Sequence, residues 1–361
     1  MRLCHKTSVH LLNVLLILVI SAACSITPCT AQPTFPVSAI QDVVIHRTFS
    51  SDVHVERWTV EQGAATTYEP SQAGVGFVRP EDRFTPPAQL PQNDEIRLRT
   101  GDPLLLDLVA TAAQGSTFLI SIILDYKQVP FSLDGQYGLL HEISVENDGA
   151  FYIPMQIDIS EPGAHDLIVV AFREPYTRPW DQTARDLPFG CLLSGRRTVV
   201  VLDGVDRPIQ NITPDVFGKP PPTGVDFGIR VMFANMPVSS SDTTHPSRRQ
   251  MPMTANGNSG GKFQYQLWLS NYDLPGDKVD YGLMRFLYYH QIDLKGKDLF
   301  VAHFDGRQEA IVDDSLILPK QPGIHELQVV YIFDPYKSVL RGEVLAPFVF
   351  SSSCLGIAVR E

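Results

Sequence analysis

EPGAHDLIVVAFREPYT, residues 161–177, returns as QPGIHELQVVYIFDPYK at residues 321–337. Both phrases hold a Pro-Gly pair, a His two residues after the Gly, a run of apolar residues and a closing Pro-Tyr. Pro162 to Pro175 spans 13 residues, as does Pro322 to Pro335. Pro presets a turn dihedral and Gly accepts backbone conformations closed to other residues, so the pair ends one element and aims the next. The run that follows reads with period two: His165, Leu167, Val169 and Ala171 lie on one side, Asp166, Ile168 and Val170 on the other. A turn feeding a strand, written twice, predicts a duplicated β module.

Other blocks extend the repeat. FLISIILDYKQVP from Phe118 pairs with FQYQLWLSNYDLP from Phe263, and YGLL at Tyr137 with YGLM at Tyr281. In that alignment the second copy carries about 16 extra residues between YGL and PGxH, and a repeat this long indicates tandem domains rather than a solenoid. Further strand-length runs include VVIHRTF, PLLLDLVA, AFYIPMQIDI, RRTVVVL, FGIRVMF and DLFVAHF, separated by PG, DG, NG and PPP. They are rich in β-branched and aromatic residues, and no amphipathic helix longer than about three turns follows residue 31. Many short strands at this spacing predict an all-β sandwich or barrel.

A PGxYxLxV pattern, with His165 and His325 at the Tyr position, resembles the late strands of immunoglobulin-like modules of secreted and surface proteins. The resemblance implies a fold class: all-β, with two tandem immunoglobulin-like β-sandwich domains from an internal duplication. It also implies that the residue at the corner ties its strand back to the backbone. The organisation expected is a signal peptide at 1–31 (1–23 if a lipoprotein signal) and an N-terminal arm with some strands and a Pro-rich linker at 32–98. Repeat 1 follows at 99–204, a linker at 205–222 and repeat 2 at 223–361. Within repeat 2, MPVSSSDTTHPSRRQMPMTANGNSGG reads as a long exposed loop.

The N-terminus carries Arg2 and Lys6, then LLNVLLILVISAA from Leu11 to Ala23. That run is short of the roughly 20 residues a spanning helix needs and has the build of a signal peptide. Export follows, to a secreted or lipid-anchored place at the cell envelope. Two cleavage sites fit. SAAC, Ser21 to Cys24, resembles the lipobox of bacterial lipoproteins, which makes Cys24 the lipidation candidate; Cys29-Thr30-Ala31 offers ordinary cleavage after Ala31. Of five cysteines, Cys191 and Cys354 fall inside the folded body, either as one disulfide or as two buried thiols.

With 361 residues, 44% hydrophobic and 19% charged, the chain is globular and long enough for two or three cores. Its net charge of −11 and lack of a basic run argue against nucleic acid as a partner. GNSGG, Gly257 to Gly261, resembles the nucleophile loop of trypsin-like serine proteases. Ser259 would then need a base, for which His141 is the upstream candidate, but Lys262 stands where that family has Pro. The plainer reading is a Gly-rich turn leading into Phe263. His141, His165, His290, His303 and His325 are scattered without HExxH or CxxC, and the Asp groups at 273–280 and 203–206 lack calcium-loop spacing, so neither metal nor cofactor is expected. Trp180 and Arg178 in REPYTRPWDQTARD, with the Pro-Tyr tyrosines Tyr176 and Tyr336, are the candidate binding residues, because aromatic and cationic side chains in loops suit recognition. The function expected is non-catalytic: binding, adhesion or spacing toward a protein or glycan at the cell surface. The rival is an extracellular hydrolase with its site in the 240–262 loop or at the inter-domain junction.

Overall fold

The computed structural model describes residues 44–49, 74–83, 96–112, 115–146, 149–173, 175, 192–202, 212–222, 230–239, 241–249, 251, 254–272, 278–335, 349–352 and 354–361. Among the described residues the protein is strand, turn and two single 3-10 turns, Pro80–Asp82 and Pro246–Arg248, with no α-helix. No helix among them is long and apolar enough to cross a membrane.

The first half holds β1 (Val44–Phe49), β2 (Gly74–Val78), β3 (Ile96–Arg99), β4 (Leu104–Ala112), β5 (Thr117–Leu124), β6 (Lys127–Val129), β7 (Phe131–Leu133), β8 (Gln136–Gly138), β9 (Leu140–Val145), β10 (Gly149–Ile157), β11 (Gly163–Arg173) and β12 (Leu192–Leu202). The second holds β13 (Val216–Phe217), β14 (Arg230–Ala234), β15 (Thr254–Asn258), β16 (Lys262–Asn271), β17 (Lys278–Leu287), β18 (His290–Ile292), β19 (Phe300–Asp305), β20 (Gln308–Ile317), β21 (Gly323–Phe333), β22 (Val349–Ser351) and β23 (Leu355–Arg360). Each half has one central and one outer sheet. The central sheets run β1-β9-β5-β11-β12-β3 and β13-β19-β17-β21-β23-β15, with β6 hung on β5, β18 on β17 and β22 on β21. Position by position their wiring agrees, down to the parallel edge strands: β1 on β9 and β3 on β12, β13 on β19 and β15 on β23. The outer sheets agree through β2-β4-β10 and β14-β16-β20. The first then continues into β7 and β8; among the described residues the second ends at β20.

This wiring corrects the sequence alignment. Phe118 lies on β5 of a central sheet, whereas Phe263 lies on β16 of an outer sheet. Tyr137 sits exposed on the small strand β8, whereas Tyr281 is fully buried on β17. The strand equivalent to β5 is β17, and the landmark is a turn. Asp125 and Tyr126 (φ 48° and 67°) and Tyr288 and Tyr289 (φ 50° and 70°) each form a two-residue left-handed hairpin turn. From Tyr126 to Pro162 is 36 residues and from Tyr289 to Pro322 is 33, so the second half is the shorter here; it lacks the β7–β8 hairpin. The region 32–98 supplies β1, β2 and β3, and the 205–222 stretch supplies β13, so both contribute strands to the sheets.

The repeated PGxH phrase works as a corner. Gly163 (φ 130°) and Gly323 (φ 145°) take a conformation that suits glycine alone. His165 Nε2 then meets the carbonyl of Glu161 at 2.8 Å, and His325 Nε2 the carbonyl of Gln321 at 3.0 Å. Each ring bonds the backbone four residues upstream, the tie that the Tyr-like position implied.

Inward-facing residues of β4, β5, β10 and β11, including Leu106, Leu108, Ile120, Ile122 and Val169, fill the first core. Leu267, Leu269, Tyr281, Leu283 and Val329 are among those filling the second. The opposite faces of the central strands are also apolar. Leu119, Ile123, Ile168, Val170 and Phe172 pack against Met284, Phe286, Val330 and Ile332. Phe172 stands edge-on to both Phe286 and Tyr289, at 5.7 Å and 5.0 Å between ring centroids. The result is four layers, outer–central–central–outer, and it explains why LIVVAF in β11 and VVYIF in β21 are buried at every position: each face has a hydrophobic layer to meet. At roughly 1.5–3 kcal/mol for each large side chain fully buried, this middle layer is a major part of what holds the halves together.

Polar groups fix the register of that layer with near-twofold reciprocity. Gln128 N–H donates to Gln291 Oε1 (2.6 Å) and Gln291 N–H to Gln128 Oε1 (2.9 Å). The Gln128 amide donates to the Tyr289 carbonyl (3.1 Å) and the Gln291 amide to the Tyr126 carbonyl (2.7 Å). Under the turns, the Tyr126 hydroxyl donates to Asp166 (2.6 Å) and the Tyr289 hydroxyl to Glu326 (3.1 Å). A further contact crosses the layer: Arg196, fully buried, grips Asp166 through Nε (2.8 Å) and Nη2 (2.5 Å) and reaches across to the Phe333 carbonyl through Nη1 (3.1 Å).

Candidate functional site

Matching strands between the halves exposes one place where their cores differ in kind. On β4, β5 and β10 the first half sets Leu106, Ile122 and Met155, all buried, with Leu106 opposite Met155. At the corresponding places on β16, β17 and β20 the second half sets Tyr265, Arg285 and Asp314, with Tyr265 opposite Asp314. Arg285 Nη1 donates to the Tyr265 hydroxyl (2.8 Å), to the Ser315 carbonyl (3.3 Å) and in a short ion pair to Asp314; Nη2 donates to the Asp293 carbonyl. The Arg285 and Asp314 side chains are 1% and 5% exposed, so both charges are almost stripped of water. Burial drives the Tyr265 phenol well above its ordinary range, against the pull of Arg285. Arg285 Nε is buried with no acceptor among the described residues.

This polar cluster floors a cleft of about 430 Å³ at one end of the second half. It is lined by Met236, Gln264, Asp293, Lys295, Gly296, Asp314 and Ser315, with Asp313 at its rim. In the first half the same place is filled: β7 pairs with β10 and drives Phe131 and Leu133 into the core. A buried ion pair gains little net stability over a packed apolar triplet. Its presence where the matching core of the first half is apolar makes this end the candidate site.

A second polar cluster lies on the outer face of the same sheet. Glu309 accepts from Trp268 Nε1 (2.8 Å), the Tyr272 hydroxyl (2.9 Å) and His245 Nε2 (2.9 Å). Ser247 Oγ is 2.8 Å from His245 Nδ1, which gives a Ser-His-Glu line. Yet Nδ1 also accepts the Ser247 backbone N–H at 3.2 Å, capping the Pro246–Arg248 turn. The line is therefore explained as a clamp: the imidazole pins the strap at 241–249 to the sheet, and Arg249 fastens it further to Gln266 (2.8 Å). The stretch expected as an exposed loop is thus tied down in part, and its 254–258 segment is β15. The sequence could not show this pairing, because 64 residues separate His245 from Glu309.

Ser259 occupies a turn whose next residue, Gly260, has φ 63°. Its hydroxyl donates to the Lys320 carbonyl (2.7 Å) and its N–H to the Arg360 carbonyl (2.8 Å), which matches the Gly-rich-turn reading. His141 lies elsewhere, buried on β9 against Phe131, with Nε2 3.2 Å from the Phe131 carbonyl. Cys354 is buried and disulfide-bonded; Cys191 lies outside the described residues. Trp180, Tyr176, Tyr336, Arg178 and Cys24 also lie outside them. No group of three or more His, Cys, Asp or Glu able to hold a metal ion occurs among the described residues.

His290, next to the Tyr288–Tyr289 turn, has a buried Nε2 without a partner among the described residues, and burial lowers its pKa to about 4. Because the folded value lies below that of the unfolded chain, the unfolded state takes up the proton first as pH falls. Stability should be fully present above about pH 6.5 and decline toward pH 4. His290→Gln should flatten that decline in urea midpoints taken from pH 7 to 4.5; the remaining slope is due in part to His325, which burial shifts the same way.

No family model and no curated protein matches the chain. Solved structures that align with it include the CARDB domain of a Pyrococcus furiosus protein in complex with di-metal ions, at 9% identity over 43% of this chain and 99% of that one, TM-score 0.24. Another is an MSP family member of C. elegans, at 11% identity over 30% and 92%, TM-score 0.19. The calcium binding domain CBD12 of CALX1.1 aligns at 10% identity over 71% and 79%, TM-score 0.18. At such scores the β-sandwich assignment rests on the sheets and cores described above.

Proposed function

We propose that this chain is an exported cell-envelope or secreted protein whose two halves are tandem immunoglobulin-like domains from an internal duplication. Their role is non-catalytic: binding or spacing toward a protein or glycan. The observation that carries the reading is the apolar layer between the central sheets. It turns two sandwiches into one stiff block and leaves the outer sheets and their ends to meet partners. Export is supported by the apolar run behind Arg2 and Lys6. Intact mass of the native protein tests it: a chain starting at Cys24 with acyl groups, or at Gln32 in the medium, is expected, and a full-length chain confined to the cytosol overturns export.

The Ser247–His245–Glu309 line favours one rival, a hydrolase with its site in the 240–262 loop. Such an enzyme needs Ser247 activated and a donor site for the oxyanion. Here the nitrogen facing Ser247 is already used by a backbone N–H. The folded protein is therefore expected to stay unlabelled by a fluorophosphonate at Ser247 and at Ser259; labelling at either overturns the non-catalytic reading.

A further inference from the structure

In the first half, β10 is an inner strand, because β7 pairs along its far edge and the Asp134 N–H donates to the Pro154 carbonyl (2.7 Å). In the second half no described residue pairs along the matching edge of β20 beyond Glu309. Glu309 exchanges two backbone bonds with Lys219 (2.7 Å and 2.8 Å), which shows that odd-numbered residues of β20 aim their N–H and C=O away from β16. By that alternation Ile311 and Asp313 present donors and acceptors outward, and among the described residues nothing pairs with them. Asp313 stands in the place of Pro154, a residue that lacks the N–H an inner edge would use.

We propose that an extended, basic peptide segment of a partner protein adds to the β20 edge at residues 311–315, taking the position that β7 holds in the first half. This rests on the binding-module reading above and names the chemistry of its partner. The backbone of the added strand would satisfy Ile311 and Asp313. Successive side chains would alternate between the outer face, beside Ile311 and Asp313, and the cleft, beside Asp293 and Asp314. Charge selects the occupant. Arg285 is neutralised by Asp314, which leaves Asp293 and Asp313 against Lys295, in a chain of net charge −11. A second copy of this chain would bring the same carboxylates to the edge and be repelled; lysine or arginine on an incoming strand would be drawn in.

The test uses the full mature chain and a labelled peptide of about seven residues alternating Lys and Val, followed by fluorescence anisotropy at physiological salt. Binding is expected, at least tenfold weaker when alternate peptide nitrogens are methylated, because a methylated amide cannot join the ladder. Asp313→Asn should weaken it several-fold by removing charge alone. Asp313→Pro, which removes the outward N–H as well as the charge but keeps the carbonyl that Pro154 uses in the first half, should weaken it further than Asn does. Equal binding of the methylated peptide would reduce the effect to charge adsorption and overturn the proposal, as would no binding at millimolar peptide. Self-association that Asp313→Pro weakens would overturn it in favour of a second copy. None of these results bears on fluorophosphonate labelling, so failure here and failure of the non-catalytic reading remain distinguishable.

Discussion

Asp314→Ala should destabilise the protein by about 3–5 kcal/mol, because it leaves Arg285 charged in a site that is 1% exposed. Tyr265 and Arg285 would lose their shared acceptor at the same time, and an unsatisfied buried donor costs about 1–3 kcal/mol by itself. The protein supplies its own control. The triple replacement Tyr265→Leu, Arg285→Ile and Asp314→Met writes the first half's residues into the second. Swapping a buried ion pair for packed apolar side chains is typically neutral or stabilising by about 1–4 kcal/mol. The triple variant should therefore recover what the single loses, in guanidinium unfolding of both proteins. If the single change costs nothing, water already reaches Arg285 and the ion pair is not buried in solution.

Arg196→Ala should cost a similar amount, about 3–5 kcal/mol, for a related reason in a different place. Burial works against the guanidinium, but the charge and hydrogen bonds of Asp166 outweigh it and hold Arg196 above its ordinary range. Removing Arg196 strands the Asp166 carboxylate with the Tyr126 hydroxyl and takes away the bond to the Phe333 carbonyl. The change weakens the first half and its joint with the second together. Differential scanning calorimetry should show a lowered transition that broadens or splits as the halves lose their coupling. A variant that melts sharply at the original temperature would show that Asp166 finds another partner.

The sequence made the strands legible and left the layers hidden. In the 161–177 and 321–337 phrases the turn, the strand that follows and the role of the corner histidine are local, set by Pro, Gly and alternation, and the structure has them. The unbroken apolar runs of β11 and β21 also carried a sign of double burial, since a strand with one wet face has no use for Ile168, Val170 and Phe172 together. What failed was the matching of look-alike phrases: YGLL and YGLM share letters but sit on a small outer hairpin and a central strand. The better landmark, Asp125–Tyr126 against Tyr288–Tyr289, is a backbone conformation that residue identity does not announce. The site was less legible still. Arg285 reads as an ordinary charged residue in YGLMRFL, and Asp313–Asp314 as solvated acids, until β17 and β20 bring them face to face.

The reciprocal bonds of Gln128 and Gln291 have a consequence for how this protein behaves on dilution. Each glutamine offers its neighbour what it receives, which is the hydrogen-bond grammar of a symmetric pair of subunits. Between separate chains such a contact would come apart as concentration fell, and its melting temperature would fall with it. Here both faces are on one polypeptide, so the encounter is intramolecular and the partner can never be diluted away. The chain carries the advantages of a dimer at any abundance, and its two faces need not match, as the unlike outer ends of the halves show.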